Sequence, residues 1–300
     1  MKNQMGLFDS PAEIDQRKVH VVSFSGGRTS AYLVYLMEQK RKEGLNVKFI
    51  YMDTGVEHPL TLRFVREVAK FWNIDLTVLQ ADINPELGQG NGYTVWSAAD
   101  IQTRMPTLKP FADMLKKYGT PYIGGAFCTD RLKTKVFQKY CNDQFGEGNY
   151  QTWLGIRADE PRRLKQKEGI SYLAEISDFE KQDVIEWWNE RPFDLLIPEH
   201  LGNCVFCIKK STPKLAAAIK DEPELYKQWV QMISKARKVE GRKTDSNIMY
   251  RGHLSLEGIA TLYANDTEKE IKQKLAASKR FETGSCSESC EGFLDLFEAA

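Results

Sequence analysis

Nowhere in these 300 residues is there an apolar run approaching the roughly 20 positions that span a bilayer. The opening segment MKNQMGLFDSPAEIDQRK also lacks the apolar centre of a secretory leader, so a cytoplasmic protein with no membrane association is expected. An excess of one charge is missing as well. Lys and Arg total 42 against 41 Asp and Glu, so no global field draws the chain to nucleic acid or anionic lipid, and such binding would need a local patch. There is no internal repeat, no low-complexity tract and no Gly/Ser linker long enough to separate two bodies. Two phosphate-binding fingerprints, GxxxxGK[ST] and GxGxxG, are absent, which disfavours a Walker P-loop and a dinucleotide fold. Cysteines are few, at 128, 141, 204, 207, 286 and 290. In a reducing compartment they read as thiols, metal ligands or redox groups rather than disulfides.

What is present is an alternation. A β-rich run at 18–24 precedes a helical spacing of apolar residues over 29–43, then a strand at 47–52, a helix at 59–72 and a strand at 74–79. Residues 82–107, rich in Gly, Asn, Asp and Pro, read as a long excursion with little regular structure, of the kind that often forms a lid. Helices at 108–118 and 129–141 and a strand at 150–156 follow. Strands alternating with helices pair in parallel through right-handed crossovers, so the expected class is α/β, a Rossmann-like doubly wound and mainly parallel sheet. The chain divides into an N-terminal extension (1–17), a nucleotide-binding core (18–160) and a largely helical accessory region (161–300) packed on it. Amphipathic KQDVIEWWNERPF and charged helices at 222–240 and 266–279 make up much of the last part.

SGGRTS, residues 25–30, stands between the first strand and its helix. Glycines let a backbone approach an anion closely, the helix start offers free N–H groups, and Thr29 and Ser30 add hydroxyls. An ordinary capped turn is the bland alternative. Asp53, at the end of the second strand, can accept from ribose hydroxyls or bind Mg2+, or can simply cap a turn. His58 is a minor candidate for orienting a phosphate. Arg157, Asp159, Glu160, Arg162 and Arg163 crowd the end of a strand that should reach the same sheet edge. A guanidinium there suits phosphate or sulfate oxygens, although such loops are often only solvated pairs.

SGGRTS resembles the PP-loop of the adenine nucleotide α-hydrolase superfamily, which includes ATP pyrophosphatases and phosphoadenosine-phosphosulfate (PAPS) reductases. YMDTGVEHPLT (51–61), WLGIRADEPRR (153–163) and GNCVFC (202–207) extend the likeness to the PAPS-reductase-like branch over residues 20 to about 210. The resemblance implies nucleotide contacts (ATP, or APS/PAPS) at Ser23, Ser25, Gly26, Gly27, Arg28, Thr29, Ser30, Asp53, Thr54, Gly55, Gly155, Arg157 and Asp159. One departure matters. The commonest pyrophosphatase loop is SGGxDS, and Thr29 cannot hold Mg2+ by charge, leaving Asp53 to supply a carboxylate.

Cys204 and Cys207 form a CxxC, a pattern open to redox, zinc or iron-sulfur chemistry. The resemblance adds Cys128, so that Cys128, Cys204 and Cys207, with Cys290 as a fourth ligand, imply a 4Fe-4S cluster, with Zn2+ or free thiols as alternatives. Arg131, Lys133 and Lys135 should keep nearby thiolates ionised. Cys286 and Cys290 are candidate mobile nucleophiles beside Cys128 and Arg157, although the tail lacks the ECGxH-like sequence of PAPS reductases. Cys141 is expected to be buried. The implied activity is sulfur transfer or reduction at the α-phosphate or sulfate of an adenine nucleotide, with a sulfur donor or thiol reductant protein as partner and a homodimer as one state. Two alternatives stand beside it. One is ATP-dependent thiolation of tRNA or DNA, held by Lys209, Lys210, Lys214, Lys235, Arg237, Lys238, Arg242 and Lys243 unless these are merely solvated. The other is a non-catalytic nucleotide sensor.

Overall fold

The structure, a computed structural model, describes residues 14–103, 107–123, 125–242, 247–251 and 253–278. Strands β1 (Val19–Phe24), β2 (Val47–Asp53), β3 (Leu76–Asp82), β4 (Gly92–Ser97), β5 (Tyr150–Leu154) and β6 (Ile170–Tyr172) form one sheet in the order β4-β3-β2-β1-β5-β6. All neighbours are parallel except β3 and β4. Two apolar layers arise from the two-residue period of the strands. Val21, Ile50, Met52 and Leu154 face one core, whereas their neighbours Val22, Phe49, Tyr51 and Trp153 face the other. Sheet strands buried on both faces have no polar side to show, which is why β1 and β2 read as nearly unbroken apolar runs.

On one face lie α1 (Arg28–Lys42), α2 (Pro59–Phe71) and α6 (Lys181–Asn189), whose Val34, Met37, Phe64, Val68 and Trp188 complete the layer. On the other lie α4 (Lys109–Tyr118) and α5 (Lys135–Phe145). Helices α7 (Thr212–Asp221), α8 (Pro223–Ser234), α9 (Leu256–Leu262) and α10 (Glu268–Ser278) join that second layer. Phe206, Leu215, Trp229 and Ile259, all fully buried, share one cluster with Val21 and Ile50 of the sheet. Each such burial contributes roughly 1.5–3 kcal/mol, so the accessory region is bonded to the core by a continuous apolar layer. No helix among the described residues is long and apolar enough to cross a membrane.

The strands and helices of the nucleotide half fall where periodicity puts them, with three differences. Residues 82–107 are not mostly irregular: β4 pairs antiparallel with β3, from Thr77↔Ser97 to Asp82↔Gly92, and α3 (Ala98–Thr103) follows. Tyr93, Thr94, Val95 and Trp96 are strand formers, but the turn-rich GQGNG before them conceals the run. The helix expected over 129–141 has a π-helical opening turn, Asp130–Thr134, before α5 begins. Short β6 and the helices α7 and α9 were not foreseen.

Candidate functional site

The carboxyl ends of β1 and β5 lie side by side, because Ser23 pairs with Leu154 in the parallel register. Beyond β1 the chain turns through Ser25–Gly27 into α1. Gly26 has φ +81°, and a Cβ there would sit 2.9 Å from Thr61 Cγ2, so the turn needs glycine. Ser30 ties the turn together: its Oγ accepts from the Ser25 amide at 3.2 Å, lies 2.8 Å from Ser25 Oγ and donates to the Gly27 carbonyl at 3.0 Å. Gly27 is the N-cap of α1 and supplies no side-chain bond, and no acid occupies the first turn. The positive end of the helix is left for an external anion.

That end opens on a cleft of 330 Å³. Ser25, Gly26, Gly27, Arg28, Thr29, Thr61 and Arg157 line one side; Lys181, Val184 and Ile185 of α6, with Leu195, Ile197, Glu199, Gly202 and Asn203, line the rest. This second wall is what sequence reasoning missed. The amphipathic period of α6 was legible, but nothing local says that its first turn looks across at a glycine loop some 150 positions earlier.

Both arginines of the cleft are already engaged. Arg28 donates to Asp194 at 2.7 and 2.8 Å and to the Leu195 carbonyl at 2.6 Å, while Trp188 Nε1 donates to the Arg28 carbonyl at 3.0 Å. It acts as a strut between the cradle and the far wall. Arg157 is 4% exposed. It donates to Asp159 at 2.7 and 3.2 Å and to Thr29 Oγ1 at 3.1 Å, and Glu160 lies 3.6 Å away. Glu160 also pairs with Arg163. The charge-rich loop is therefore a built network that presses one guanidinium against the cradle.

The remaining expected contacts sort by position. Ser23 and Ser30 are buried behind the cradle. Asp53 is buried and does not line the cleft; its Oδ1 accepts from the Gly55 amide at 2.7 Å and its Oδ2 lies 3.4 Å from Gln80 Nε2. The bland turn-capping role describes it, and the carboxylate lining the cleft is Glu199. Thr54 donates to the buried Glu57 at 2.7 Å. Gly55, at φ +76°, lets Pro110 pack within 2.8 Å of where a Cβ would stand. Gly155 is needed for packing: its Cβ would be 2.9 Å from Ser30 Cα. His58 caps α2, accepting from the Leu60 amide through Nδ1, and its Nε2 meets Glu222 at 3.0 Å. It takes no part in the cleft.

A second pocket gathers Thr54, Phe111, Cys128, Lys133, Asn203, Cys204, Cys207 and Lys209. Asn203, held at φ +56°, lines both pockets. Three thiols predicted from distant segments thus meet in one place. Their charge state differs from the expectation. Burial pushes the Cys204 thiol up to about 12, the Glu57 carboxylate adds to the rise and Lys133 opposes it. Burial raises Cys128 too, and the Thr129 amide, Lys209 and Lys133 do not offset it. Lysine charge is spent elsewhere, as in the Lys133 to Glu57 pair at 3.7 Å, so desolvation wins. Cys141 is buried as expected, and burial raises its thiol further.

Sulfur donors of this kind suit Zn2+ or an iron-sulfur cluster. Yet among the described residues no three His, Cys, Asp or Glu side chains are grouped as metal ligands. The three thiols do not form a ready cage in this conformation, and Cys286 and Cys290 lie outside the described residues. The accessory cations are largely turned inward. Lys210 is buried and donates to the carbonyls of His200 and Val205 at 2.7 and 2.9 Å. Lys214 pairs with Glu199 at 3.4 Å, and Arg237 and Arg242 donate to the carbonyls of Lys117 and Thr120. Lys235 and Lys238 are exposed, and Lys243 lies outside the described residues.

Comparison with known proteins meets this geometry. Residues 19–182 match the family described as the phosphoadenosine phosphosulfate reductase domain. The chain is 65% identical over 276 residues to the nin region protein ORF290 of Escherichia phage lambda, covering 92% of this chain and 95% of that protein. It is 20% identical over 245 residues to MJ0066 and 22% identical over 247 residues to MJ0973, both of Methanocaldococcus jannaschii. Those matches take in 77% and 78% of this chain, and span 45% and 53% of the two archaeal proteins.

Proposed function

Because the chain belongs to the phosphoadenosine phosphosulfate reductase domain family, we propose that its cleft binds an adenine nucleotide and that the protein acts at the α-phosphate or attached sulfate in sulfur transfer or reduction. One observation carries the reading: the open cradle Ser25–Thr29 and Arg157 face a single cleft that adjoins a pocket of three thiols at Asn203. The cradle amides and the start of α1 hold phosphoryl oxygens and offset charge that develops on them. Arg157, braced by Asp159 and Thr29, adds a fixed donor without having to order itself first.

Of two routes, the resting thiols favour activation by ATP. In that route an acceptor oxygen attacks the α-phosphorus, pyrophosphate leaves, and a sulfur nucleophile then displaces AMP from the adenylylated acceptor. The other route has a thiolate attack the sulfur of a phosphosulfate, and neutral Cys128 and Cys204 are poorly prepared for it. No step is routed through a metal. The proposed 4Fe-4S or zinc occupancy of Cys128, Cys204 and Cys207 is tested by metal and sulfide analysis of protein purified without oxygen. Full-length protein with ATP should release pyrophosphate in the presence of a nucleophilic acceptor; release of sulfite from PAPS or APS would instead select the reductive route. Absence of heat with every adenine nucleotide in calorimetry would overturn the reading.

A further inference from the structure

The cations of the cleft are unequal. Arg28 is consumed by Asp194 and Leu195, and Arg157 by Asp159, Thr29 and Glu160. Lys181, the first residue of α6, lines the same cleft and makes no hydrogen bond or ion pair with any described residue. The acids beside it in sequence are taken up by the helix start. Glu180 accepts from the amide of Asp183, and Asp183 accepts from the amide of Glu180 at 2.7 Å. Around Lys181 the wall is apolar, formed by Val184, Ile185, Leu195 and Ile197. An ammonium group on such a wall has few fixed competitors for an incoming anion.

From this we infer that Lys181 is a second anion subsite, across the cleft from the cradle, and that the ligand is an adenine nucleotide carrying an anionic group beyond its α-phosphate. The inference rests on the nucleotide reading and adds the class of ligand. A monophosphate fills the cradle and leaves Lys181 in water. A ligand with two anionic groups fills both, and it gains a charge-assisted bond that no internal carboxylate has to release. Two sources have this chemistry: the β- and γ-phosphates of ATP, and the sulfate or 3′-phosphate of APS and PAPS.

Calorimetry on the full chain with AMP, ATP, APS and PAPS separates the outcomes, using wild type, Lys181→Ala and Lys181→Arg. Lys181 is exposed at a helix start, so both variants should retain the wild-type circular dichroism spectrum. The expected result is a loss of about tenfold in affinity for ATP, or for APS and PAPS, in Lys181→Ala, with AMP changed less than twofold and Lys181→Arg restoring most of the loss. Which ligand loses identifies the source of the second group. Equal losses for AMP and the longer ligands, or no loss for any, would overturn the subsite while leaving nucleotide binding intact. A wild-type chain that binds none of the four would overturn the nucleotide reading itself, and the subsite with it.

Discussion

The two pockets that meet at Asn203 are built on opposite principles. The nucleotide cleft is a polar site whose charges are settled beforehand: its arginines are braced by carboxylates, and its anion-binding groups are backbone amides that cannot titrate. The thiol pocket is a desolvated site whose sulfurs are held neutral and whose chemistry must be switched on by something that arrives. The first is preorganised for a ligand, whereas the second is held in reserve. A protein that joins the two can commit its reactive groups only after its nucleotide is in place.

Breaking the contrast is most damaging from the cleft side. Arg157→Ala strands Asp159 and Glu160 and frees Thr29; denaturant melts should show a loss of about 2–3 kcal/mol, and nucleotide affinity should fall together with it. Gly155→Ala would drive β5 against the first turn of α1 and should cost about 2 kcal/mol, again with weaker nucleotide binding, while thiol titration counts stay unchanged. Arg28→Ala loosens the far wall. Because that pair is partly exposed, about 1 kcal/mol of stability and a few-fold of affinity is the expected effect.

The thiol side is sharpened by pH. Cys128 and Cys204 are raised in the folded protein relative to the model value of 9.0, so their neutral forms stabilise the fold fully below that pH. This contribution is lost as pH climbs from there towards the folded value of about 12 for Cys204. Urea melts at pH 8, 9 and 10 should show a steepening decline that the double variant Cys128→Ser, Cys204→Ser flattens. A decline unchanged in the double variant would assign it to other groups. At the small end, Lys235→Ala and Lys238→Ala should change stability by less than about 0.5 kcal/mol and leave nucleotide affinity untouched, since both side chains are exposed.

The same contrast explains what the sequence disclosed. The cradle is contiguous, SGGRTS between an apolar run and a helical period, and each part of it has a local physical reason, so it was legible. The parallel sheet was legible too, because strands such as VHVVSF and VKFIYMD announce burial on both faces. Residues whose role depends on a distant partner were harder. Asp53 sits at the right strand end yet is turned to the Gly55 amide, and Arg28 sits in the loop yet reaches Asp194. Lys181 had no local signal at all, since its significance is that others nearby are taken. The thiols were found by type and spacing, but their protonation was misjudged from lysines adjacent in sequence, because depth of burial is a property of the packed chain alone.

The π-helical turn Asp130–Thr134 carries one last implication. Such a turn is an α-helix with one surplus residue. Removing a single residue from it would let the segment relax into ordinary α geometry and rotate everything before it by about 100° relative to α5. Val136, Phe137 and Cys141 would hold their places in the apolar layer, while the sulfur of Cys128 would swing off its present heading. The aim of that sulfur is therefore written in the length of the segment, and a relative one residue shorter there would have to find its third thiol elsewhere.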